Sequence, residues 1–450
     1  RYTGGGGNPP ASTANLSDLV WTWGQFIDHD LDLTPSDKSF PAPIVAPSDD
    51  PTLPNGTIGF SRSQHTVDDN GVWQQTNILT SFLDAGNVYG HSETRALGLR
   101  TLDGSGKLKT SHNGALPPLN VGLVFENESG SGQHSSAEQQ FLCGDVRANE
   151  NPALCAMHSL FVLEHNRLCD ELLEANPCWQ NDDERLYQEA RRTVTALIQH
   201  ITVDHFLTTL FGESNALPAY AGYNQQVRPD VASEFSAALY RIGHTMVSNE
   251  IAVRTGSDEQ VFPLADVFFN PRFLETHGVS AVLEGAAHRR MQEIDRFVVE
   301  ALRNMLFGRP NEPSGALHDL VSINLQRGAD HGLRKYNDTR EAYGLARKST
   351  FADVSSDAQT QAALANAYAS VDEIDLWIGA LCEDKVAGAQ VGELSMAGIR
   401  EQFVRLRDGD RFWYENALSA DAVAQIKNTT LADVIRRNTR AQVQNDVFHV

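Results

Sequence analysis

The sequence predicts a mainly α-helical protein, one large helical domain over residues 1–450 with long loops and little β-structure. Three observations carry that expectation. Apolar residues recur at i, i+3, i+4 spacing along several long segments. Strict period-2 alternation is scarce. Two Gly/Pro/Ser-rich stretches, 36–75 and 102–137, interrupt the helical runs as surface excursions. With 41% hydrophobic and 21% charged residues, the composition is that of a soluble globular protein, and 450 residues suffice for a large core. A formal net charge of −22 argues against binding to nucleic acid or to anionic membranes. No apolar run approaches the roughly 20 residues of a membrane span.

Taken in order, the first helical segment is 21–33, WTWGQFIDHDLDL, stopped by Thr34-Pro35. Segment 156–174 sets Met157, Leu160, Phe161, Glu164 and Leu168 on one stripe. Segment 183–211 opens on the acidic turn Asp182-Asp183-Glu184, suited to a helix N-terminus, and continues through Leu186, Ala190, Val194, Leu197 and Ile201. Further helices are expected at 233–249, 286–307, 338–345, 359–369 and 395–405. Segment 322–340 is dense in Asn, Gln, Arg, Asp and His without a clear period and reads as a loop lining a site. The five cysteines are few and odd in number. Cys155 and Cys169, on one helix, stand about 21 Å apart, beyond disulfide reach.

Four windows hold chemistry-bearing residues. At about 100° per residue, Gln25, Asp28, His29 and Asp32 share one helical face, while Asp30 points about 200° from Asp28. The three acids therefore cannot serve one centre, and the window is either a solvated acidic patch or a site with two sides. Arg147 and Glu150 project together, as a local ion pair would. His158 and His165 lie on a helix without an HExxH pattern, which gives no support to a zinc hydrolase. His244 sits in an apolar helix, where spacing alone does not separate a core histidine from a metal ligand.

Together the windows resemble the animal-type haem peroxidases, the family of myeloperoxidase, lactoperoxidase and peroxidasin. The matching motifs run in the family's order over nearly the whole chain: WGQFIDHDLDLTP, LTSFLDAGNVYG, GDVRANE, MHSLF, EHNRL, ERLYQEAR, RIGHT, INLQRGADHGL and LRDGDRFWYEN. The resemblance implies a secreted enzyme reducing hydrogen peroxide and oxidising halides, thiocyanate or small aromatic donors. His29 matches the distal acid–base histidine, Gln25 the distal glutamine, Arg147 the distal arginine, and His244 the proximal iron ligand with Asn324 as its hydrogen-bond partner. Arg241 and Arg327 match arginines near the haem. Asp28 and Glu150 match the carboxylates that esterify it. Asp30 matches a calcium ligand, joined by Thr80, the Phe82 carbonyl, Asp84 and Gly86.

Two positions depart from the family. Asn151 stands where a methionine would form a sulfonium link, so none is expected. Gly86 stands where the family usually offers a serine oxygen to calcium. The related fatty-acid dioxygenase and cyclooxygenase branch places a radical tyrosine three residues before the proximal histidine. Here that residue is Arg241, and Tyr240 lies four before.

Overall fold

The computed structural model describes residues 9–50, 53, 56–122, 125–128, 135–306 and 318–450. Parts of both predicted loops, and the last residue of the predicted 286–307 helix, lie outside these. The fold is mainly α. Helix α1 (Asp18–Leu31) starts because the Ser17 side chain accepts the Leu19 N–H and Asp18 complements the first turn. It ends at Asp32, whose extended backbone leads towards Pro35. Helix α2 (Pro152–Ala175) is capped by Asn151, which accepts the Leu154 N–H, and has Pro152 in its first turn. It packs against α1, against α3 (Asp183–His200) and against α4 (Pro271–His288), which puts it at the centre of the core. The remaining element at the site is α5 (Leu320–Asp330), begun by the Asp319 side chain.

Three of the expected helices and one expected loop differ in the structure. The 183–211 run is α3, then a π-turn over Ile201–Phe206, then Leu207–Phe211. The 233–249 run is broken at Ala238 (φ −144°, ψ −67°) into Ser233–Ala237, Leu239–Ile242 and Gly243–Met246. The 286–307 run is helical only at its start and over Glu300–Arg303. Between them the chain is extended, because Met291 exchanges backbone hydrogen bonds with Ser12 and Leu16 at 2.8 and 2.9 Å, and tertiary pairing outweighs propensity. The expected loop within 322–340 is helix α5 over most of its first half. Its apolar residues are too few to show a period, but Asp319 caps it from outside the window.

Strands among the described residues form only two-stranded antiparallel ribbons, three of them within the 36–75 excursion. The fourth is the hairpin Glu250–Thr255/Asp258–Pro263, which lies on α4. Buried apolar residues from Leu16 to Phe448 form one contiguous cluster. No helix of the described residues is long and apolar enough to cross a membrane. All five cysteines are free.

Candidate active site

A cavity of about 370 Å³ opens beneath α1, walled by that helix, the 147–151 turn, the π-turn, the 236–247 segment and α5. His29 and His244 both line it, together with Gln25, Asp28, Arg147 and Glu150. Arg241 and Arg327 line it as well, whereas Asn324 stands behind His244. The residues expected at the haem therefore meet, although α1 and α5 are about 290 positions apart in sequence.

His29 is 3% exposed. Burial, reinforced by the positive charge of Arg147, holds its imidazole well below the usual value, so it is neutral at pH 7. Its Nδ1 stands 3.4 Å from Asp145 Oδ1, which leaves Nε2 as the nitrogen available to a substrate. Asp145 was not foreseen as part of the site. It grips Arg147 through two bonds of 2.9 Å, from Nε and Nη2, and also accepts the Arg147 backbone N–H at 2.8 Å. Burial alone would raise the Asp145 carboxyl, but the Arg147 charge and those bonds hold it well below the ordinary range. The third guanidinium nitrogen, Nη1, lies 3.8 Å from Asp28. The signal was present as Asp two residues before Arg in GDVR, a spacing that lets one side chain fold back on the other.

Asp28 keeps 32% of its side chain open, but it opens into the cavity. Burial and then the like charge of Asp32 push its carboxyl up to about 7, against the opposing pull of Arg147 and Arg241. Glu150 is pushed up to about 7 by burial and by Glu128. Asn151, besides capping α2, donates from Nδ2 to Gln25 Oε1 at 2.9 Å, so the residue after Glu150 ties α1 to α2. Asp32, given no role from the sequence, also lines the cavity.

Elsewhere in the cavity lining, burial and Arg241 lower His244 to about 3, and Asn324 Nδ2 lies 2.8 Å from its Nδ1. Arg241 Nη1 donates to the Asn324 oxygen at 2.8 Å, which fixes that amide orientation. Arg327 is held at the rim by Ser63 Oγ (2.8 Å), Asp330 (2.9 Å) and the Ser61 carbonyl (3.1 Å), and its guanidinium stacks over Phe60. His331, also unforeseen, lines the cavity and meets Ser63 Oγ at 2.8 Å. Tyr240 lies in the wall too, its hydroxyl donating to the Gly24 carbonyl at 3.2 Å and its ring stacked on Phe235.

Asp30 faces away from the cavity, towards the loop at 84–87. Its carboxylate accepts the N–H groups of Ala85 (3.1 Å) and Asn87 (3.2 Å). Burial and the neighbouring Asp84 carboxylate raise it well above the usual range. Asp84 in turn accepts from Thr80 Oγ1 and from the Gly86 N–H, both at 3.0 Å. The Gly86 carbonyl accepts the Gly90 N–H at 2.7 Å. A Cβ on Gly86 would sit 2.4 Å from the His91 ring, so a side chain there would have to displace the imidazole. Among the described residues no three His, Cys, Asp or Glu side chains are gathered to hold a metal.

The sequence profile described as "Animal haem peroxidase" matches residues 6–448. The chain belongs to the animal haem peroxidase family. It is 36% identical to peroxinectin A of Dictyostelium discoideum, over 97% of this chain and 84% of that protein. Human eosinophil peroxidase is 35% identical over 94% of this chain and 66% of its own length. The peroxidasin homolog pxn-2 of Caenorhabditis elegans is 34% identical, but this chain spans only 36% of it. The solved structure of peroxidase A from Dictyostelium discoideum superposes with a TM-score of 0.91 at 34% identity, covering 99% of this chain and 89% of that one. A fatty acid alpha-dioxygenase of Oryza sativa superposes at 0.78 with 21% identity, covering 95% of this chain and 75% of that one, a likeness of fold alone. Membership of this family carries a haem cofactor and oxidoreductase chemistry in general.

Proposed function

We propose that the protein reduces hydrogen peroxide and oxidises halides or thiocyanate by two electrons, or small aromatic donors one electron at a time. The observation that carries this reading is a neutral, buried His29 beside a charge-clamped Arg147, lining one cavity with His244. The donor set suits a haem. His244 would ligate its iron, Arg241 and Arg327 would meet its anionic substituents, and Asp28 and Glu150 would form the ester links. When bound, haem supplies the redox-active iron for two-electron reduction of peroxide. Calcium belongs to the same reading, with Asp30, Asp84, Thr80, Phe82 and Gly86 as its oxygen-bearing positions, because a cation there would offset the burial and the Asp84 repulsion that raise the Asp30 carboxyl. So does secretion.

His29 Nε2 takes the proton from one peroxide oxygen and delivers it to the other, which leaves as water. Arg147, held rigid by Asp145, stabilises the negative charge that grows as the O–O bond breaks. Ligation through His244 Nε2 requires the proton on Nδ1. Asn324, whose amide lies 2.8 Å from His244 Nδ1, would hold that ring in place, and Arg241 would meet an anionic haem substituent. The test is the haem-loaded protein's Soret spectrum with a peroxide-dependent assay of bromide, iodide and thiocyanate oxidation. A histidine-ligated haem and peroxide-dependent turnover are expected. No turnover with any donor, or oxygenation of fatty acids without peroxide, overturns the reading.

A further inference from the structure

Away from the cavity, the π-turn at Ile201–Phe206 gathers a polar cluster for which the peroxidase reading has no use. In an α-helix, residues five apart stand about 140° apart around the axis. The i→i+5 bonding of a π-turn brings them nearly into line. His200 and His205 are such a pair, and their Nε2 atoms lie 3.3 Å apart with the rings nearly perpendicular, at 82°.

The proton positions follow from the neighbours. His200 Nδ1 lies 2.7 Å from Asp204 Oδ2, and a carboxylate accepts, so Nδ1 carries the proton and Nε2 presents its lone pair. Asp204 is steadied by the Tyr414 hydroxyl at 3.5 Å. His200 is 4% exposed and Asp204 46%, so the pair sits just beneath the surface. Asp433 and Asp446 add negative charge beside His205, while Lys427 opposes them at Asp204.

A separation of 3.3 Å is long for an N–H···N bond. It matches the chord of about 3.3 Å between two imidazole nitrogens on a tetrahedral ion at about 2.0–2.1 Å. A carboxylate on the far nitrogen of a ligating histidine is the usual arrangement for fixing ring orientation and raising basicity. We infer that His200 and His205 form a bidentate site for a borderline divalent cation such as Zn²⁺, with Asp204 orienting His200 and water completing the coordination. Binding exchanges the proton between the two Nε2 atoms for the cation. Among the described residues no third His, Cys, Asp or Glu is in place as a ligand, which limits their part to two nitrogens. Because Phe206, in the same turn, lines the cavity, a cation here clamps the turn that carries one of its walls.

The experiment is calorimetric titration of chelator-treated holoenzyme with Zn²⁺ alone, alongside Zn²⁺-dependent thermal unfolding. The wild type should bind one equivalent and gain melting temperature, reversed by chelator. His205→Ala and the conservative His205→Gln should lose both responses while keeping their Soret spectrum and peroxide turnover. Asp204→Asn should weaken binding by about 10–100-fold. Absence of a Zn²⁺ response in the wild type overturns the inference. So does an unchanged response in either correctly folded His205 variant.

Discussion

At the residue scale, the chemistry divides between atoms that exchange protons and atoms that keep them in place. His29→Ala removes the proton carrier, and peroxide reduction should fall by on the order of 10²–10⁴-fold with haem still bound, read as the rate of Soret change on mixing with peroxide. Asp145→Asn keeps the His29 side chain but takes the charge from the clamp on Arg147 and from the group 3.4 Å from His29 Nδ1. A guanidinium displaced by about 1 Å costs about 10²-fold, so the same assay should show a slower reaction with an unshifted resting spectrum. Asp28→Val should free one of the two haem links, seen as partial extraction of haem under denaturing conditions. Asn151 shows a substitution put to local use, since its amide caps α2 and holds Gln25, a pairing a methionine cannot make.

At the element scale, Gly86 and His91 are a matched pair. The imidazole occupies the space a side chain at 86 would fill, and its Nε2 lies 3.2 Å from the His29 carbonyl on α1. Gly86→Ser alone should lose about 1–3 kcal/mol by overpacking, measured in denaturant or thermal unfolding. Adding His91→Ser should recover part of that loss, giving a coupling of about 0.5–3 kcal/mol between the two changes. Additive losses would mean that the two positions do not share the space.

At the scale of the whole molecule, the buried carboxyls set a pH dependence. Without haem, Asp28 and Glu150 hold their protons up to about 7, whereas the unfolded chain releases them near the ordinary values of 3.8 and 4.5. Between those limits the native state binds more protons, so their contribution is fully present below about pH 4 and is lost as pH rises through 7. The haem-free protein should therefore lose stability over that interval, and Asp28→Asn with Glu150→Gln should flatten the curve of unfolding midpoint against pH. Much of this architecture was legible beforehand. The wheel at 100° per residue separates Asp28 and His29 from Asp30 without any structure, and long amphipathic stretches announced α2 and α3. What local pattern could not reveal was decided by distant partners. Residues 289–293 are extended because residues 11–17 pair with them, and α5 is helical although its own stripe is thin. The role of Asp145 was hidden because a fold-back two residues long has no periodic signature.

The cavity draws its walls from residue 21 to residue 331. During synthesis at about 5–20 residues per second, His29 waits roughly 15–60 s before the last wall leaves the ribosome. Until then the face of α1 that carries His29 borders an incomplete cavity. Haem capture thus falls to the completed polypeptide, since a chain stalled before α5 holds His29, Arg147 and His244 but lacks Asn324 behind His244 and Arg327 in the cavity wall.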